Sequence, residues 1–347
     1  MANAKARSNR VAATLFDIRL IARHLVKFPP WEPLLSIVGP PSSWNINKHS
    51  EFNLSQWGEL KLARNSRGDH RLRALENVLQ ALAAIFTPRV FPFRDAPSSY
   101  PYEGGEEDAE TLVRYQREKW FFVNGIATDP TLLKMNGAYL YSVFKRPIEL
   151  IYNPTDGVLI DIFESVFGRT FDFSLTPELY TKRRVEDAIF SNMYDRVILL
   201  AHSQGAIVAS NVIRELIRDF RQKNRLEKLT RLEVYTFGSA ADEIDADDTL
   251  SNAHNRLVPY IEHFANTDDV IAQLGILQKE NPTYRKIMDG PIFKLEKSGH
   301  LFNAHYLCDI VNKRYVSTQV GTQSRLYGYL DGNIPDLYLS IKQSEMV

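Results

Sequence analysis

The stretch Arg196–Phe220, RVILLAHSQGAIVASNVIRELIRDF, decides the fold. It opens on Val197-Ile198-Leu199-Leu200, an unbroken apolar run of the kind a parallel strand shows when both its faces are buried. The chain then turns through Ala201-His202-Ser203-Gln204-Gly205. Beyond the turn the period changes: Ala209, Val212, Ile213, Leu216, Ile217 and Phe220 recur at helical spacing and mark one face. The expected unit is strand, five-residue turn, helix.

That context makes Ser203 a candidate nucleophile at an elbow of the G-x-S-x-G type. A serine at the apex of a tight strand-to-helix turn is held in a strained conformation and its hydroxyl projects outward. The positions two before and two after it must be small, because larger side chains would collide with the neighbouring strand and helix. Ala201 and Gly205 fill them. A helix starting just after Ser203 also offers backbone N–H groups to developing negative charge, Gln204 N–H first among them. The competing reading is a serine in an ordinary strand-to-helix loop of a nucleotide-binding sheet.

On both sides, strands and helices alternate, which predicts an α/β protein with a mostly parallel central sheet and helices on both faces. Upstream lie a strand at Trp120–Val123, a helix at Pro130–Val143, a strand at Ile148–Tyr152, a helix at Val158–Phe167 and a helix at Tyr180–Tyr194. Downstream come strands at Leu232–Phe237, Val258–Phe264 and Ile292–Leu295. Residues 88–110, rich in Pro, Ser, Gly and acid, read as a solvated connection. They divide an N-terminal helical extension, 1–110, from a catalytic domain, 111–347. In the extension a helix is expected from Leu72 to Phe86, a strand or hairpin within Phe52–Leu62, and a packed helix carrying Leu15, Ile18, Ile21 and Leu25.

Whole-chain quantities exclude some function classes. The 42 acidic and 42 basic residues of the 347 balance, so net charge argues for no nucleic-acid partner. A single cysteine, Cys308, rules out an internal disulfide framework and points to a cytoplasmic setting. No run reaches the roughly 18 apolar residues of a membrane span. The N-terminus is basic but broken by Asp17, Arg19 and Arg23, which argues against a secretory signal. It leaves organelle targeting or peripheral membrane contact open. No metal-ligand cluster or phosphate-binding glycine loop is present in the sequence pattern, so neither metal nor cofactor is expected. Oligomeric state is not legible.

A nucleophilic serine needs a base, and the base needs an orienting acid. The last two strand candidates each run into suitable residues: Asn266-Thr267-Asp268-Asp269-Val270 after one, Lys297-Ser298-Gly299-His300 after the other. His300 is the candidate base, with His305 its rival in the helix that follows. Asp269 is the candidate acid, with Asp268 as an alternative and Asp242 or Glu243, after the preceding strand, as a third. His202 beside the nucleophile reads as structural or substrate-facing, because neighbours on a turn point apart.

From about Lys119 to Val311 the chain resembles the α/β-hydrolases, and most of all their lipase and serine-esterase branches. Val234–Ser239 (VYTFGS) is similar to a strand end of the class 3 lipases. Asn266–Val270 falls at that group's acid loop, with Asp269 on the acid's position. Val123-Asn124-Gly125 lies where many hydrolases have His-Gly in the oxyanion loop. The resemblance implies the α/β-hydrolase fold and a Ser203–Asp269–His300 triad. It also implies oxyanion donors at Gln204 and at Gly125 or Ile126, with Asn124 and His202 facing substrate. The expected activity is hydrolysis of carboxylic esters, small or lipid, through an acyl-enzyme. An acyltransferase with the same triad, or a non-catalytic binding protein on this fold, are the alternatives. Phe163 and Phe171 are expected to line an acyl pocket, the competing reading of their segment being a helix buried against the sheet.

Overall fold

A computed structural model of the chain describes residues 39–45, 47–51, 98–102, 116–125, 130–153, 176–246, 258–280, 287–319 and 321–335. The expected elements around Leu15–Leu25, Phe52–Leu62, Leu72–Phe86 and Val158–Phe167 lie outside these residues, as do Ile126, Phe163 and Phe171.

Eight strands form one sheet. They are β1 (Ser98–Tyr102), β2 (Glu118–Val123), β3 (Ile148–Tyr152), β4 (Arg196–His202), β5 (Leu232–Phe237), β6 (Tyr260–Asn266), β7 (Ile292–Leu295) and β8 (Val316–Ser317). Their order across the sheet is β1-β3-β2-β4-β5-β6-β7-β8. The six strands from β3 to β7 run parallel, and the edges β1 and β8 pair antiparallel. The chain is therefore an α/β protein with a mostly parallel sheet.

β1 corrects the reading of 88–110 as a solvated connection. Ser98–Tyr102 pairs along its whole length with Ile148–Tyr152, so the sheet begins before position 110. Pro101 within it is compatible with an edge strand, where one row of N–H groups has no neighbour to bond.

Side chains alternate between two cores, which explains why the central strands are apolar throughout. One face of the sheet carries Phe121, Val123, Val197, Leu199, Ala201 and Val234, covered by α2 (Thr176–Phe190) and α3 (Gly205–Gln222). The other carries Trp120, Phe122, Ile198, Leu200, Tyr235 and Phe237. It is covered by α1 (Pro130–Phe144) and by a π-helical turn, Phe302–Leu307, that runs into α5 (Cys308–Val311). A short helix, α4 (Val270–Leu274), follows β6. On the buried face of α3 lie Ala209, Val212, Ile213, Leu216, Ile217 and Phe220, the stripe expected from the sequence.

Two boundaries shift for local reasons. α2 starts at Thr176-Pro177 rather than Tyr180, because proline in the first helical turn loses no hydrogen bond and already has helical φ. β6 starts after Pro259, whose missing N–H keeps it out of the ladder.

The chain passes from β2 to β3 on one side, then reverses to β4 and beyond on the other. In open α/β sheets the crevice at such a reversal, outside the carboxyl ends of the strands, is where ligands bind. Here the loops at that crevice begin with Asn124-Gly125 after β2 and Ser203 after β4.

Candidate active site

Ser203 sits between β4 and α3 with φ 58°, in the left-handed region that a non-glycine residue enters at a cost of about 1–3 kcal/mol. The backbone bonds around it hold that conformation. Ser203 N–H donates to the Phe237 carbonyl at 3.0 Å, and its own carbonyl accepts from Ala206 N–H at 3.0 Å and Ala240 N–H at 3.2 Å. The small flanking residues are required for the reason the sequence suggested. A Cβ on Gly205 would lie 2.6 Å from the Val123 carbonyl oxygen and 2.8 Å from that of Asn124. Ala201 is fully buried among the strands and α3. Gly125 is as tightly placed: a Cβ there would come within 2.6 Å of Ser203 Cβ. Gly125, just after β2, therefore lies directly against the serine.

Asp269 and His300 meet although 31 residues separate them. β6 and β7 are parallel neighbours, so the loops leaving their carboxyl ends emerge side by side. His300 Nδ1 contacts Asp269 Oδ2 at 2.6 Å. A carboxylate accepts, so Nδ1 carries the proton and Nε2 is left with a lone pair. Asp269 is fully buried, and two more donors converge on it. Ile271 N–H reaches Oδ1 at 2.9 Å, where Asp269 caps α4, and the Tyr306 hydroxyl donates to Oδ2.

The remaining ends of the site are orphaned. Ser203 Oγ and His300 Nε2 are both buried, and neither has a hydrogen-bond partner among the described residues, so they do not bond one another here. One is a donor and the other an acceptor. Buried polar atoms without partners are rare, and two complementary ones call for an explanation. Gln204 N–H likewise donates to no group among the described residues, while its side-chain Oε1 accepts from Asn153 Nδ2 at 3.1 Å.

His202 has a different position from the one its neighbour occupies. Its Nε2 donates to the His300 carbonyl at 2.9 Å, and its ring lies 4.7 Å from the His300 ring and 5.2 Å from Phe302. Burial, reinforced by the nearby His300 and His305, holds its pKa well below the usual imidazole value, so it stays neutral. It braces the candidate base from behind.

Other candidates fall into place by their contacts. His305 takes the Leu301 N–H on Nδ1 at 3.0 Å, and its ring packs where a Cβ on Gly299 would stand. Burial holds it neutral as well. The imidazole that meets Asp269 is that of His300 instead. Asp268 is exposed, and its N–H bonds the Lys297 carbonyl at 3.2 Å. Asp242 follows β5, and the carboxylate on His300 Nδ1 is that of Asp269 instead.

Asn124 corrects the expectation of a substrate-facing side chain. Its Oδ1 accepts from Asn153 N–H at 2.6 Å. Its Nδ2 donates to the carbonyls of Asn153 at 3.0 Å and Gly125 at 2.8 Å. All of this is buried, so Asn124 clamps the ends of β2 and β3 together.

Tyr306 is the residue that sequence reasoning passed over. It follows His305 in the sequence and belongs to no motif. Its hydroxyl bridges Asp269 to the Asn266 N–H at 3.2 Å. Burial and the Asp269 carboxylate push its pKa well above the usual phenol value, so it remains a donor.

Among the described residues no helix is long and apolar enough to cross a membrane, and no group of three His, Cys, Asp or Glu residues is disposed to hold a metal. Compared with known families and curated proteins, the chain matches no family model and no individual sequence.

Proposed function

We propose that this protein is a serine hydrolase of carboxylic esters, built on the α/β-hydrolase fold and working through an acyl-enzyme on Ser203. One observation carries the reading. The 2.6 Å His300–Asp269 contact leaves a lone pair on a buried nitrogen, in a chain whose buried Ser203 is held at positive φ on a strand-to-helix turn. The strand order and the chain order Ser, Asp, His support the fold assignment.

The chemistry follows from those roles. His300 Nε2 takes the Ser203 proton as Oγ attacks the ester carbonyl, and Asp269 steadies the imidazolium that forms. The orphan Gln204 N–H, with a donor from the loop that begins at Gly125, binds the oxyanion. A single such donor contributes about 3 kcal/mol to the transition state. His300 then returns its proton to the leaving alcohol, and water releases the acyl group by the reverse sequence. An unmade Ser–His bond in the unliganded protein is consistent with this, since such bonds tighten when substrate arrives.

Pre-steady-state kinetics tests the reading. With an activated ester such as p-nitrophenyl butyrate, about one equivalent of nitrophenolate per chain should appear in a burst before slower turnover. Linear release no faster than that from unfolded protein would reject an acyl-enzyme. The same ester in a series from acetate upward reports whether longer chains are preferred.

A further inference from the structure

The turn that follows His300 begins without a cap of its own. The π-helical turn opens after Leu301, whose side chain cannot accept a hydrogen bond, and the first N–H groups of a helix need acceptors. The Leu301 N–H is taken by His305 Nδ1. The next ones are taken from far away in the chain. Glu51 Oε1 accepts from Asn303 N–H at 2.7 Å, and Oε2 accepts from Ala304 N–H at 2.9 Å. The His49 carbonyl accepts from Asn303 Nδ2 at 2.6 Å. Glu51 is buried, 3 % exposed, and its segment is anchored to α1 as well. The His49 ring stacks on Tyr139 at 5.1 Å, and Asn47 Nδ2 reaches the Tyr139 hydroxyl at 3.4 Å.

The turn so capped carries three parts of the site. Phe302 packs against His202, Tyr306 donates to Asp269, and His300 lies just before it. We infer that Glu51 is a positioning residue for the base: its carboxylate holds the turn after His300 so that the imidazole stays in register with Ser203. This inference rests on the hydrolase reading of Ser203 and His300. It gives the N-terminal segment a task in the reaction, although Glu51 lies 252 residues before its partner Asn303.

The carboxylate is also placed to make that hold depend on pH. Burial pushes Glu51 up to about 7, with the backbone N–H bonds pulling the other way. The titratable neighbours His49, Tyr139 and Cys308 are each held away from neutrality. Burial and Lys48 lower the His49 imidazole, and burial raises Tyr139 and Cys308 to about 12 each. Asp309 is paired with Lys297 at 2.6 Å and Arg314 at 2.8 Å. Because the folded pKa exceeds the ordinary value of 4.5, the folded state binds the extra proton between about 4.5 and 7. Stability from this group therefore falls as pH rises through that window. The ionised form, which can accept both N–H bonds, fills in as pH rises through 7.

Glu51→Gln keeps the size and removes the charge and one acceptor. At pH 8 it should lower kcat at least about tenfold with KM within about twofold, as expected when only transition-state geometry is lost. Below pH 7 the wild-type kcat should fall more steeply with falling pH than that of Glu51→Gln, because only the wild type has a carboxylate there to protonate. Wild-type kcat and an unchanged limb in Glu51→Gln would overturn the inference, as would a lowered Tm with both kept. If that variant does not fold, Glu51→Asp decides, since it keeps the charge but withdraws the carboxylate by one methylene. A fall in kcat at pH 8 is expected there too, and full activity would overturn the role. The low-field proton resonance of the His300–Asp269 bond gives a readout independent of turnover. It should broaden or shift in Glu51→Gln, and an identical resonance would contradict the role. Wild-type protein without turnover would sink the hydrolase reading alone, leaving the resonance to judge Glu51.

Discussion

Ser203→Ala should abolish the proposed ester turnover: kcat should fall by roughly 10⁶-fold, to the rate of the uncatalysed reaction plus what the proposed oxyanion donors supply. Among the described residues, Ser203 combines a strand-to-helix turn, a buried hydroxyl without a partner and an unpartnered N–H on the next residue. The fold should survive, because Ser203 Oγ makes no hydrogen bond that the change would remove. Removing an orphaned buried hydroxyl leaves unfolding by urea unchanged or slightly harder. Alanine retains the positive φ penalty but not the reactive group, so activity and stability separate cleanly. Turnover within tenfold of wild type, in protein that unfolds normally, would show that the elbow is structural.

His300→Ala should cost about as much, and its neighbours should not. Nucleophile and base act as a unit, so losing the base alone removes most of what losing both would remove. Asp269→Asn should lower kcat by roughly 10⁴-fold, because an amide at that position favours the wrong imidazole tautomer. It also leaves Ile271 N–H, His300 Nδ1–H and the Tyr306 hydroxyl competing for one oxygen, so a loss of stability is expected with it. His305→Ala tests the choice of histidine. Its Nδ1 takes the Leu301 N–H, so the variant should lose stability and retain part of its activity. A dead His305→Ala beside an active His300→Ala would reverse the assignment of the base.

Much of this site was legible because local sequence rules and the fold agree there. Ile148–Tyr152, Leu232–Phe237 and Ile292–Leu295 were bounded by breakers and buried on at least one face, so their limits coincide with β3, β5 and β7. The spacing of Ala201 and Gly205 about Ser203 is a steric requirement that the sequence states directly. Gly299, at φ 103°, signals the turn that precedes His300, since any Cβ there would strike the His305 ring.

What was not legible depends on contacts between distant parts of the chain. Ser98–Tyr102 has a loop's composition, and it is a strand because the edge of the sheet offers it Ile148–Tyr152 to pair with. Asn124 stands where the resemblance leads one to expect an oxyanion loop, yet the end of β3 consumes its amide. Glu51 and Tyr306 have no motif around them. Each matters because of the group it meets, Asn303 and Ala304 in one case and Asp269 in the other. Periodicity reports which face of an element is buried, and it carries no information about which loop ends converge.

The central claim is that Ser203 is the nucleophile, and covalent labelling tests it most directly. Wild-type protein treated with a fluorophosphonate should gain about one adduct per chain, and peptide mapping should locate it on Ser203. Ser203→Ala should gain none, and His300→Ala should label far more slowly. An adduct at another residue, or full labelling of Ser203→Ala, would contradict the account.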